Sequence, residues 1–242
     1  MQLDEVASVV ITHGTDTLEE TAFFLSLVLP AHLTALKPII LTCAMRPATS
    51  LLSDGAQNIQ DALVVATTPG ACGVLVVCAG SLHTAANVQK THTYRLNAFD
   101  SGDAGPLGVI EDGQLHLMYA WPKPDLAAPM VDLQRLTLTP WPRVEIILNY
   151  VGANGAIVKA LCASPLGQPV QGLIVAGTGN GTLSQALEAA LLEVQGKGIA
   201  VLRCSRCGYG CVVSSSAATG LGLVASRLSP VKARIALMLA LI

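Results

Sequence analysis

Aromatic residues are scarce in this chain. Phe, Tyr and Trp together make up 4% of it, too few for the stacking platforms on which proteins hold single-stranded nucleic acid. Charged residues are sparse as well, and the net charge of −2 gives no basic excess to draw the chain to nucleic acid or to an anionic membrane. No apolar run reaches the roughly 18–20 residues of a membrane span, and the apolar end from Ile235 to Ile242 is too short for one. The opening Met1-Gln-Leu-Asp-Glu5 is acidic and is not the basic start of a secretory signal; cytoplasm and periplasm both stay open. There is no internal repeat and no low-complexity tail.

Apolar residues, in contrast, make up 52% of the 242 residues, enough core for one large or two small domains. The seven cysteines are odd in number, and four sit in apolar strand or helix contexts, which favours buried, reduced thiols over a disulfide framework. Cys204, Cys207 and Cys211 are spaced like metal ligands, but a structural zinc site needs four, and no second Cys or His pair lies close by. A fortuitous, oxidisable cluster is the expectation.

The chain is organised around Val9 to Leu29. Val9, Val10 and Ile11 are β-branched, as a buried strand requires. His13-Gly14-Thr15-Asp16 is a polar turn, and from Leu18 apolar positions recur at helical spacing through Ala22, Leu25 and Leu29. Thr17 with Glu20, or Asp16 with Glu19, can form a capping box. Thr15 and Asp16 thus lie where a strand ends and a helix begins, the crevice in which open α/β sheets bind ligands. A hydroxyl beside a carboxylate, at free helical N–H groups, suits a small zwitterion. The plainer reading of the same two residues is helix capping alone.

The remaining chain alternates strand and helix. Strands are expected at Ile39–Cys43 and Gly73–Cys78, with a helix at Asn58–Ala66 carrying Ile59, Ala62, Leu63 and Ala66 on its buried face. Gly108–Leu117, with Asp112-Gly113 at its centre, reads as a hairpin. Proline crowds Met118–Pro142, which reads as a packed linker. A second series follows: strands at Val144–Val151, Gly172–Gly177 and Ile199–Cys204, helices at Ala156–Cys162 and Thr182–Val194, and a last helix opened by Ser229-Pro230. The expectation is α/β: two domains, each a mainly parallel sheet flanked by helices, over residues 1–117 and 143–242 with 118–142 as linker.

The run from Val10 to Leu25, Val-Ile-Thr-His-Gly-Thr-Asp-Thr-Leu-Glu-Glu-Thr-Ala-Phe-Phe-Leu, resembles the second signature of the bacterial-type L-asparaginases. Cys43-Ala-Met-Arg-Pro47, Asp54-Gly55, Lys90-Thr91, Gly105-Pro-Leu-Gly108, Gly177-Thr-Gly-Asn-Gly181 and Ser229-Pro-Val-Lys-Ala-Arg234 agree in family order. The resemblance implies hydrolysis of the side-chain amide of L-asparagine, with L-glutamine as a further substrate, through a threonine acyl-enzyme. It implies Thr15, Asp16 and Lys90 as catalytic residues, the lysine handling the proton. It implies that Asp16 meets the substrate ammonium in a closed pocket and that the Ala44 carbonyl meets the amide. His13 is expected to be a hydrogen-bonded turn residue, and Arg46 to pair a carboxylate or loop carbonyls. No metal or organic cofactor is implied, because the chemistry needs only hydroxyl, amine and carboxylate.

Family members are homodimers or homotetramers whose second domain lends groups to a neighbouring site, and Thr182 matches such a position; its plainer reading is a helix N-cap. A glutamate expected after Arg206 has no counterpart in Tyr209–Thr219. The family's Thr-Gly-Gly-Thr-Ile signature, tyrosine-bearing lid and Ser-Gln pair would precede Met1, so the resemblance implies an N-terminally truncated first domain lacking the usual nucleophile and one central strand. Two other readings remain at this point: a remnant that folds or associates without turnover, and a flavodoxin-like binding module.

Overall fold

The computed structural model describes residues 5–123, 133–163, 167–213 and 223–242. They form two compact units, Met1–Asp132 and Leu133–Ile242.

In the first unit, Val9–Thr12 (β1), Ile39–Thr42 (β2) and Val74–Cys78 (β3) are parallel neighbours, joined through the helices Leu18–Val28 (α1), Ala31–Thr34 (α2) and Gly55–Thr67 (α3). The period of two along β2 divides its side chains between two cores. Ile39 and Leu41 pack with Leu18 and Ala22 of α1, whereas Ile40 packs with Ala62, Val65 and Ala66 of α3. All four β2 residues are buried, and each such aliphatic side chain contributes about 1.5–3 kcal/mol relative to exposure. Among the described residues β1 pairs on one side only, with β2.

In this unit the expected parallel order covers these three strands, and the rest of the sheet is antiparallel. Ser81–Thr84 (β4) turns straight back on β3, through Ala79 and Gly80 at φ 49° and 72°. Gly108–Glu111 (β7) and Gln114–Leu117 (β8) extend the sheet antiparallel, giving the order β1-β2-β3-β4-β7-β8. The turn joining β7 and β8 is the expected Asp112-Gly113 pair, at φ 48° and 74°, the left-handed geometry that suits a two-residue hairpin. Gln89–Lys90 (β5) and Phe99–Asp100 (β6) form a separate two-stranded ribbon, seated on the α1 core by Val88, Ala98 and Phe99.

The buried face of α3 is rotated from the one expected. Ile59 and Leu63 are exposed, whereas Asn58, Asp61, Ala62, Val65 and Ala66 are buried. Two polar residues lie on the inner stripe because they have partners there, which hydropathy does not register. At the end of the unit, Trp121 lies beside Gly70 and Pro122 beside Gly73. The Cys72 thiol donates to the Pro122 carbonyl at 3.1 Å, so the start of the proline-rich stretch is packed as expected. Further along, that stretch contains the short helix Leu133–Leu138 (α4).

The second unit is a four-stranded parallel sheet built from Arg143–Leu148 (β9), Val170–Gly177 (β10), Ala200–Ser205 (β11) and Val224–Ala225 (β12), in the order β12-β11-β10-β9. Ala156–Ala163 (α5) and Gln185–Gln195 (α6) cover one face, and Pro230–Ala240 (α7) the other. The helix expected from Thr182 begins at Gln185. Its N-cap is Ser184, whose Oγ accepts the Leu187 N–H at 3.3 Å. Ser229 and Pro230 open α7 as expected, but the Ser229 hydroxyl makes no cap bond. Among the described residues no helix is long and apolar enough to cross a membrane.

Candidate active site

The turn between β1 and α1 is fixed at both ends. His13 N–H donates to the Thr42 carbonyl at 2.9 Å, extending the ladder one residue past β1, and Leu18 is fully buried at the helix start. The His13 ring stiffens the turn from within. Its Nδ1 donates to the Gly14 carbonyl at 2.7 Å, leaving Nε2 to accept the Thr21 hydroxyl at 2.9 Å. This is the hydrogen-bonded turn residue expected.

Thr15, Asp16 and Lys90 are brought together. Lys90 Nζ donates to Thr15 Oγ1 at 2.8 Å and to Asp16 Oδ1 at 2.7 Å. The Lys90 side chain is 18% exposed and that of Asp16 is 92% exposed. The ammonium therefore sits in a sheltered place while the carboxylate faces solvent. The hydrogen bond and the charge from Lys90 hold the Asp16 carboxyl below its ordinary range. The expected closed pocket around Asp16 is not what this unit forms: its carboxylate stands at an open surface.

The capping box is absent too. Thr17 occupies the N-cap position without a side-chain bond. Glu19 reaches across to β5, where its Oε2 accepts the Lys90 backbone N–H at 2.6 Å. This contact joins residues 71 positions apart; no local pattern announces it. The acidic first turn of α1 was its only visible signal.

Ala44 lies two residues beyond the end of β2 and is exposed. It lines a cleft of about 390 Å³ together with Thr12, His13, Thr42, Cys43 and Arg46. The loop that carries it is held by Asp54, whose two carboxylate oxygens accept the Met45 and Arg46 N–H groups at 2.9 Å each. Arg46 Nη1 donates to the Leu52 carbonyl at 3.3 Å, a loop carbonyl as expected. Beneath the loop, Asn58 Nδ2 donates to the Cys43 carbonyl at 2.8 Å and Asn58 Oδ1 accepts the Ala79 N–H at 2.9 Å. One buried amide thus fixes the carboxyl ends of β2 and β3 together. Sequence reasoning missed Asn58 because it reads as an ordinary polar position on an amphipathic helix.

Thr182 belongs to the second unit. Its N–H donates to the Thr178 carbonyl at 2.8 Å and its carbonyl accepts the Thr178 N–H at 3.0 Å, closing a tight loop. A Cβ at Gly177 would lie 2.5 Å from the Gly181 carbonyl carbon, so glycine is needed where the loop folds back on itself. Of the cysteine cluster, Cys204 is fully buried and Cys207 exposed. No group of three or more potential metal ligands occurs among the described residues.

A hydroxyl and a carboxylate at the carboxyl end of a parallel strand, with an ammonium brought against both, are groups of the kind that nucleophilic hydrolases use. Comparison with known proteins gives the family. The asparaginase N-terminal model matches residues 1–123, and the glutaminase/asparaginase C-terminal domain model matches residues 143–242. This chain belongs to the asparaginase family.

It is 35% identical to L-asparaginase 2 of Escherichia coli over 243 residues, covering 98% of this chain and 67% of that protein. It is 36% identical to L-asparaginase 2 of Bacillus subtilis over 241 residues, covering 98% and 61%. It is 36% identical to a glutaminase-asparaginase of Pseudomonas fluorescens, covering 98% and 64%. The chain therefore spans 61–67% of the length of these curated relatives. Among solved structures, that of a probable cytoplasmic L-asparaginase from Campylobacter jejuni matches with a TM-score of 0.86 at 37% identity, covering 98% of this chain and 74% of that one.

Proposed function

We propose that this chain hydrolyses the side-chain amide of L-asparagine to L-aspartate and ammonia, with L-glutamine as a side substrate. The observation that carries the reading is the shared contact of Lys90 Nζ with Thr15 Oγ1 and Asp16 Oδ1. Acting as the base, Lys90 Nζ takes the Thr15 hydroxyl proton as Oγ1 bonds to the amide carbon. The same proton then leaves on the departing ammonia, and a threonine ester remains. Water, deprotonated at the same amine, cleaves the ester and regenerates Thr15. The exposed Asp16 carboxylate offers its outer face to the substrate α-ammonium. The Ala44 carbonyl, on the loop held by Asp54, is the proposed acceptor for the side-chain amide.

A second reading is a protein that folds and associates without turnover. The 92% exposure of Asp16 favours it, because an ion pair open to water loses most of its electrostatic strength. Ammonia release on adding L-asparagine to the folded chain separates the two readings.

The proposed functional form is a homodimer or homotetramer. The exposed Leu36, Leu51, Leu52, Tyr150 and Val151 supply apolar surface of the kind that oligomer interfaces cover. Light scattering at micromolar protein should give a mass above the 25.0 kDa of one chain; a clean monomer would count against assembly.

A further inference from the structure

Two cysteines unconnected to the hydrolytic chemistry lie directly beneath the Ala44 loop. Thr42 of β2 is in register with Val77 of β3, so the next step along both strands sets Cys43 beside Cys78. Their sulfur atoms are 3.2 Å apart, and one thiol donates to the other. Both residues are buried. Adjacent strands run about 4.8 Å apart, a spacing inside the Cα separations of roughly 4.4–6.8 Å that a disulfide spans. Cys72, also buried, is engaged differently, with its thiol on the Pro122 carbonyl.

The two thiols are not equivalent. Cys43 lines the 390 Å³ cleft, whereas Cys78 does not. The hydrogen bond from Cys78 lowers the Cys43 thiol against the opposing effects of burial and the Asp54 charge, while the same hydrogen bond and burial raise Cys78. Cys43, on the cleft side, is the thiol placed to meet a hydroperoxide, with Cys78 behind it as the resolving thiol.

We propose that Cys43 and Cys78 form an oxidation site for small hydroperoxides that closes to an intrachain disulfide across β2 and β3. Cys43, as its thiolate, attacks the terminal oxygen of the hydroperoxide. The O–O bond breaks, the alcohol (water, for hydrogen peroxide) leaves with a proton, and Cys43 becomes a sulfenic acid. The Cys78 sulfur then attacks the Cys43 sulfur, the S–S bond forms, the S–O bond breaks, and water leaves with the Cys78 proton. Two thiols are oxidised and one hydroperoxide is reduced. The sulfurs must close from 3.2 Å to about 2.05 Å, moving the strand end that carries Ala44. The proposal is independent of the hydrolytic assignment.

The test uses the whole chain and hydrogen peroxide. Folded protein is treated, remaining thiols are alkylated in denaturant, and peptides are mapped by mass with and without reduction. The expected product is a Cys43–Cys78 linked peptide, lighter by the two thiol hydrogens and released by dithiothreitol, with Cys72 still alkylated. Linkage should be at least about tenfold faster in folded protein than in urea, because folding supplies the proximity. In Cys78→Ser the link should vanish and Cys43 should be trapped as sulfenic acid by dimedone. Recovery of both Cys43 and Cys78 as alkylated thiols from treated folded wild type would overturn the proposal, as would linkage no faster in folded protein than in urea. These readings on the wild type stand even where the variant fails to fold.

Discussion

Glu19 Oε2 accepts the backbone N–H of Lys90 at 2.6 Å, tying the first turn of α1 to the short strand β5. The Lys90 backbone otherwise belongs to a two-residue ribbon. One helical turn therefore sets all three members of the candidate constellation: Thr15 and Asp16 through the chain that leads into it, Lys90 through Glu19.

Glu19→Ala should accordingly lower kcat for asparagine hydrolysis by about tenfold, the equivalent of one charge-assisted hydrogen bond worth about 1.5 kcal/mol. Glu19→Gln, which keeps an acceptor, should recover most of that loss, with KM little changed in both. Equal losses in the two variants would show that the negative charge of Glu19, not its grip on the Lys90 N–H, matters.

Asn58→Ala should destabilise the first unit by about 2–4 kcal/mol, since it leaves the buried Cys43 carbonyl and the Ala79 N–H without their partner. Urea unfolding would show this as a lower midpoint at unchanged slope. A shift equivalent to less than about 0.5 kcal/mol would mean that the amide bracket does not hold the ends of β2 and β3.

The placement of Thr15 and Asp16 was legible in the sequence, because a β-branched run giving way to helical periodicity across a glycine turn is a local signal. Lys90 was not legible from its own surroundings. Its partner Thr15 lies 75 residues away, and only the resemblance to a known family singled it out. Asn58 was obscured because a hydropathy reading of α3 selects the face through Ile59 and Leu63 and so turns the helix away from its true stripe. The return strand β4 was overlooked because its tight turn uses Ala79 at φ 49°, a conformation unusual for alanine and fixed here by Asn58. The Cys43–Cys78 contact depends on the register of two parallel strands, which neither strand's sequence specifies.

The first unit should lose stability in mild acid through His83. This residue is buried, with Nδ1 at 2.8 Å from Ser101 Oγ and Nε2 without a partner. Burial pulls its pKa down to about 4 from 6.5. The folded state therefore prefers the neutral ring, and below pH 6.5 the unfolded chain binds the extra proton. The associated stability is fully present above pH 6.5 and is lost progressively as pH falls towards 4, by up to about 3 kcal/mol. Urea midpoints measured across that window should fall in wild type and flatten in His83→Gln. Identical pH slopes in the two proteins would remove His83 as the cause.

The most direct test of the hydrolytic assignment is ammonia release from L-asparagine by the folded chain, measured beside Lys90→Ala and Thr15→Ala with folding checked by circular dichroism. The account predicts release above the buffer rate in wild type, and a fall of about a hundredfold or more in each variant, as loss of a proton-transfer group or a nucleophile entails. No release from folded wild type, or a Lys90→Ala rate equal to that of wild type, would contradict it.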